Sequence, residues 1–293
     1  MATASVEVAA ARLQVPSSGE QVLKLTRYQL REYLRSRRFV ALAAIVLAIG
    51  AILTAVVAHF RGSIISSTFA FYGSFWGGGA DVVIVLAAVF FGGDAIAGEF
   101  QNKTGYFLMG LPVRRGTVYI GKFIAAFLAS ISMMGLFLAI LLGNALYYFG
   151  GSAFPWQLGL SLVLAIVYLS AVLGATFLFS SLFKTSAYGF VLTAILFLFG
   201  FTILQDLVTG LIKIEPWMII SYASSTIGSV FSTNVNWGLH GLIVTTVTMI
   251  GPHRSITTTS YTAGIAEGIV IMLVYLIGTA AVGLWLFERE EFT

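Results

Sequence analysis

The sequence has no cysteine in 293 residues and only three histidines. The first absence excludes disulfides and thiolate metal sites, though it says nothing of the compartment. The histidines, His59, His240 and His253, form no metal-ligand spacing, and neither H-E-x-x-H nor G-x-S-x-G occurs. Charge is also scarce. Asp, Glu, Lys and Arg make up 10% of the chain, against about 25% in an ordinary soluble domain. What fills the space is apolar: 58% of residues are hydrophobic and mean hydropathy is +0.95. A polytopic membrane protein follows. The net charge of +4 then reflects membrane orientation rather than nucleic-acid binding, because the basic residues cluster beside apolar runs.

A phosphate-binding loop is missing as well. It needs G-x-x-x-x-G-K-[ST], whose glycine amides cradle phosphate. The nearest stretch, Ala97 to Thr104, keeps Lys103-Thr104 but has Ala97 and Asn102 where both glycines belong. No nucleotide, metal or other cofactor is expected on this chain. No period of 20 to 50 residues repeats, which excludes a solenoid. Residues 1–20 lack the apolar core of a signal peptide and carry Pro16, Ser17, Ser18 and Gly19. They read as a disordered tail, so the first span must itself direct insertion.

A span needs about 20 mostly apolar residues. Six segments qualify: 39–60, 80–98, 122–149, 157–183, 187–212 and 265–287. With the N-terminus inside, the inner segments hold 13 Lys and Arg and the outer ones three, Arg61, Lys213 and Arg254. Both termini, including the tail 288–293, therefore face the cytoplasm. The outer segment 213–264 is long and rich in Ser and Thr. Within it, Leu239–Ile250 is apolar but too short to span, and its length suits a re-entrant or interfacial half-helix.

Two inner elements are strongly patterned. In 21–38, Lys24, Arg27, Arg31, Arg35 and Arg38 recur at three- and four-residue spacing, on one helical face, with Leu23, Leu30 and Leu34 on another. This reads as an interfacial amphipathic helix, either an anchor for the first span or an elbow that also touches a partner. Between spans two and three, 99–112 carries an apolar set, Tyr106, Phe107, Leu108, Met109 and Leu111, and a polar set, Glu99, Gln101, Asn102, Lys103 and Thr104. Gly105 and Gly110 weaken helix continuity and Pro112 stops it. A short helix along the membrane is expected, followed by a turn into span three.

The connector resembles the first intracellular loop of ABC-2 type transporter permeases. The matching residues are Glu99, Thr104-Gly105, Leu108, Leu111-Pro112, Arg114-Arg115 and Lys122. The topology resembles that family over nearly the whole chain. The fold class is thus an all-α integral membrane protein of six spans, with an N-terminal elbow helix, a cytoplasmic coupling helix and an enlarged outer region. The resemblance implies a permease subunit in the plasma membrane that pairs with a second permease copy, identical or not, and docks on a dimer of ATPase subunits. ATP and Mg would bind at those partners. Glu99, Gln101, Lys103, Thr104, Gly105, Leu108, Pro112, Arg114 and Arg115 would form the coupling surface. Spans two and five line the pathway in that family, which points to Phe90, Phe91, Phe197 and Phe201. Such an apolar lining suits a lipid-like or amphipathic substrate better than a glycan.

Four acidic residues need a reason. By the segment bounds, Asp81 opens span two, Asp94 lies near its inner end, Asp206 lies towards the outer end of span five, and Glu267 opens span six. All four are expected near interfaces, with Asp206 the deepest and a candidate outer gate. The competing reading is a self-contained secondary transporter using these acids. It would want an ion site at the membrane centre. A membrane enzyme lacks a constellation, and a plain anchor needs no such elaborate inner loop.

Overall fold

The computed structural model describes residues 17–59, 65–102, 113–183, 185–249 and 255–289. Helix α1 spans Ser18–Arg35. Ser17 caps it by accepting from the Glu20 amide, and Glu20 and Arg35 complement the dipole at its two ends. Ser36 adopts extended backbone and its hydroxyl bonds Tyr33 O at 2.7 Å, which breaks the helix. Span one, α2 (Arg37–His59), starts at once. Span two is α3 (Thr68–Gly92), capped by Ser67, and leads into the short α4 (Ala97–Gln101). Span three is α5 (Arg115–Phe149) and span four α6 (Gln157–Leu182).

Span five is composite. It joins α7 (Ser186–Ile195), a π-helical turn Leu196–Gly200, α8 (Phe201–Leu207) and a second π-helical turn Val208–Ile212. It ends at Lys213, whose φ of 56° is left-handed and the one positive φ of a described non-glycine residue. Helix α9 (Ile220–Ser229) and an antiparallel hairpin, β1 (Leu242–Met249) with β2 (Ser255–Thr262), follow. Span six is α10 (Ile265–Arg289). Among the described residues, six helices are long and apolar enough to cross a membrane. The chain is an all-α membrane protein with one small hairpin.

Two sequence expectations need correction. Span two begins at Thr68, not residue 80, so Asp81 stands mid-helix rather than at its mouth. The run Gly77-Gly78-Gly79 lies inside this helix, and Gly77 and Gly79 form a packing surface. A Cβ on Gly77 would come within 2.8 Å of the Gly228 Cα on α9, and one on Gly79 within 2.5 Å of the Phe137 ring. The second correction concerns Leu239–Ile250, which is not a half-helix: Leu242–Met249 is a strand paired from Leu242↔Thr262 to Met249↔Ser255. Its Val, Ile and Thr are branched at Cβ, and its partner reads SITTTSYT. Such residues favour the pleated chain over the helix, and counting apolar residues misses that branching.

Spans two and four are central, with 72% and 61% of their most apolar stretches buried; spans one, five and six are peripheral, at 22%, 17% and 17%. Helix α9 runs antiparallel beside span two: Ser224 neighbours Asp81, Gly228 meets Gly77, and Phe231 stacks on Tyr72 at 5.3 Å. Its approach is fixed by hydrogen bonds. Trp76 Nε1 donates to Ser161 Oγ (2.9 Å), whose hydroxyl donates to Ile227 O (2.5 Å). From span six, Tyr275 Oη donates to Met218 O at 2.6 Å.

Candidate coupling site at the connector end of the bundle

The base of the connector is built from α4. A helix start leaves amides without partners, and here the buried Ser180 hydroxyl of span four accepts from Ile96 N (3.0 Å) and Ala97 N (3.1 Å). That sets the angle at which the chain leaves span two. Glu99 on α4 then turns inward and pairs with Lys122 at the start of span three. The side chains are 16% and 7% exposed. Lys122 Nζ also donates to Ala95 O at 2.8 Å.

The neighbouring residues extend the network. Arg38 of span one pairs with Asp94, which also accepts from Ser186 Oγ at 3.3 Å. Gln101 Oε1 accepts from the Ser186 amide at 2.8 Å, at the start of span five. Tyr33 Oη of α1 donates to Phe91 O at 3.0 Å. Burial first, then the nearby Asp94 carboxylate, pushes the Tyr33 hydroxyl's pKa up, so it stays a donor. Thr26 Oγ1 of α1 donates to Gly121 O on span three at 3.1 Å. The stretch from Phe91 to Gln101 is therefore bonded to α1 and to spans one, three, four and five. A cavity of 680 Å³ lies against it, lined by Tyr28, Glu32, Tyr33, Phe90 and Asn102 among others.

The expected site residues divide. Glu99 and Gln101 lie in this network. Lys103, Thr104, Gly105, Leu108 and Pro112 lie outside the described residues. Arg114 is exposed before α5, and Arg115 donates to Glu288 O at 2.9 Å, joining spans three and six. Lys24, Arg27, Arg31 and Arg35 are exposed on α1. Arg38 belongs to span one instead, because Ser36 ends α1 and turns it towards Asp94. Phe91 is a core ring against Tyr33 and Phe39, whereas Phe90 meets Phe190 of span five edge-on at 5.2 Å. Phe197 is buried against Phe201 at 5.0 Å. Asp206 is exposed on span five, beside the exposed Ile203 and Leu207.

Sequence reasoning missed Ser180 and Ser186, since a lone serine in a helix carries no signal of its partner. It also misjudged Asp81. That carboxylate has Tyr168 of span four and Ser224 of α9 as hydrogen-bonding neighbours, and its Oδ1 is buried without a partner. Among the described residues no group of three or more His, Asp or Glu is arranged to hold a metal.

The family model of ABC-2 family transporter proteins matches residues 23–292. The chain belongs to the ABC-2 transporter family. No curated protein matches it. Membership makes the chain a multi-pass membrane component of a transporter, in a family that is not itself catalytic. In this ABC-2 chain the matched region takes in α1 from Leu23 onward, all six spans and the connector.

Proposed function

We propose that this chain is the permease subunit of an ATP-driven exporter in the plasma membrane, coupled through its 99–115 connector to a separate dimer of ATPase subunits that bind ATP and Mg. The observation that carries this reading is the bonded stretch from Phe91 to Gln101. A force that arrives at this stretch is passed on to the bundle. It reaches span three through Glu99–Lys122, span one through Asp94–Arg38, and span five through Gln101 and Asp94 at Ser186. Lys103 to Pro112 and the exposed Arg114 supply the docking face. Both termini are cytoplasmic on the distribution of Lys and Arg.

A second permease copy belongs to the same reading. A carboxylate on the apolar surface of a span is unfavourable in lipid by about 2.5 to 3.5 kcal/mol at the helix centre. Asp206 has such a setting on the peripheral face of span five. A second copy, with a wet pathway between them, relieves it. The apolar surface around it, including Phe199 and Leu204, suits a lipid-like or amphipathic substrate. Asp81 is the observation that favours a secondary transporter, being an acid in mid-span; the family match weighs against it.

The test is co-purification from mild detergent with a tag on the chain. A stoichiometric ATPase, lost on charge reversal at Lys103 or Arg114, is the expected result, and Asp206→Asn lowers transport-coupled ATPase activity. A chain that purifies alone and still moves an ion-coupled solute in vesicles would sink the proposal.

A further inference from the structure

At the end of span five remote from the connector, the hairpin is fixed on one side and open on the other. Strand β2 packs on the second π-helical turn of span five and on α9. Tyr261 Oη of β2 donates to Lys213 O at 2.9 Å, and the Ala263 amide just beyond it donates to Ser225 Oγ of α9 at 3.1 Å. Strand β1 is held at its start, where the Gly241 amide donates to Glu215 Oε1. A Cβ on Gly241 would overlap the Tyr222 hydroxyl and the Glu215 carboxyl, so close approach requires glycine there. From that point on β1 packs on β2, and among the described residues it has no comparable contact with another element.

The sheet has two strands, paired over eight residues without a bulge. Among the described residues the far side of β1 has no backbone partner. Such an edge invites another strand, and natural sheets guard it with Lys, Pro, a bulge or an inward charge. Here β1 reads LIVTTVTM and β2 reads SITTTSYT, with no charge, proline or glycine in either. A two-stranded hairpin is also marginal in water, and added strands are what stabilise it.

The edge selects its occupant by what it lacks. Lipid tails offer no hydrogen bonds to an open strand. A strand without charge has nothing to pick out a foreign partner and nothing to repel its own copy. Position points the same way. The hairpin is tied to the end of span five at Lys213, and span five is the peripheral span assigned above to the second copy. Opposed residues in an antiparallel ladder exchange both backbone bonds or neither. A two-fold axis therefore makes one residue of the strand face its own copy. With the strands overlapping almost fully, that residue is Thr245 or Thr246, and cross-strand Thr pairs are favourable.

We propose that β1 is an interface between two copies of this chain. The two β1 strands pair antiparallel and join the hairpins into one four-stranded sheet across the axis. The pairing rests on the second permease copy proposed above, here an identical one.

The test exploits the absence of cysteine, since any thiol introduced is then the only one. Single-cysteine variants are made at each position from Leu242 to Met249 and oxidised in the membrane with copper phenanthroline. Light scattering in mild detergent reports the dimer independently. A disulfide needs Cα atoms within about 7 Å, and directly opposed residues stand about 5 Å apart. At about 3.3 Å per residue, Leu242 and Met249 stand about 20 Å or more from their own copies. Cross-linked dimer should therefore peak at Thr245→Cys or Thr246→Cys, several-fold above Leu242→Cys and Met249→Cys. Adding Thr245→Lys to Thr246→Cys brings two like charges together and should lower the yield. A dimer by light scattering with a flat or absent cross-linking profile overturns the strand pairing and leaves the second copy standing. A monomer by light scattering with no cross-link at any position overturns both.

Discussion

Spans two and five are nearly equal in hydropathy, at 2.0 and 2.2 over their most apolar stretches, yet 72% of one stretch is buried and 17% of the other. The difference lies in side-chain size and polar chemistry, not in apolar content. Span two reads GSFWGGGAD where it meets α9, and its glycines let backbones touch. Its Trp76 and Asp81 find partners on span four and α9. Span five reads ILFLFGFTILQDL, with Ile195, Phe199, Ile203, Leu204 and Leu207 exposed. Apolar length says that a helix can enter a membrane. Small residues and buried hydrogen-bonding groups say that it packs against protein there.

Substitutions can break this comparison. Gly77→Val should be the most severe, because the group in its way is the Gly228 backbone, which cannot swing aside. A loss of about 3 kcal/mol, or of folded protein, is expected, read as a fall in Tm in detergent. An unchanged Tm would mean that α9 does not press on span two. Next comes Lys122→Met, which takes from the inward Glu99 its ion-pair partner on span three. About 3 kcal/mol is expected, and adding Glu99→Gln should restore part of it. A cycle without coupling would remove this pair from the network.

Smaller effects sharpen the contrast. Trp76→Phe keeps most of the ring but loses the bond to Ser161, for about 1 kcal/mol. On span five, Phe199 is 60% exposed, and Phe199→Ala should change the stability of the isolated chain by no more than about 0.5 kcal/mol. The same change should lower the dimeric fraction in cross-linking. Equal losses of Tm from Trp76→Phe and Phe199→Ala would abolish the distinction between the two spans.

The spans were legible in the sequence because twenty apolar residues in a row have few other uses. The bounds of span two were not, because glycine adds little to an apolar run whether it serves a turn or a close contact. The hairpin was hidden for a related reason: its residues are apolar enough for a helix and branched enough for a strand, and pairing decided between them. Of the inner site, Glu99, Gln101 and Lys122 stood out as polar residues beside apolar runs. The pairings did not, since Asp94 meets Arg38 across 56 positions and Ser186 across 92. The bond from Tyr222 to Glu215 was equally hidden, since the two residues lie on different elements.

The two π-helical turns of span five have a geometric effect. Each fits one more residue into its turn than an α-helix would, and one residue of helix is a rotation of about 100°. The stripe that Ser186–Ile195 shows its neighbours is therefore not continued by Phe201–Leu207, nor that one by the residues approaching Lys213. Span five is a rod with two built-in twists, whose first and last thirds face different directions while its helix runs on unbroken.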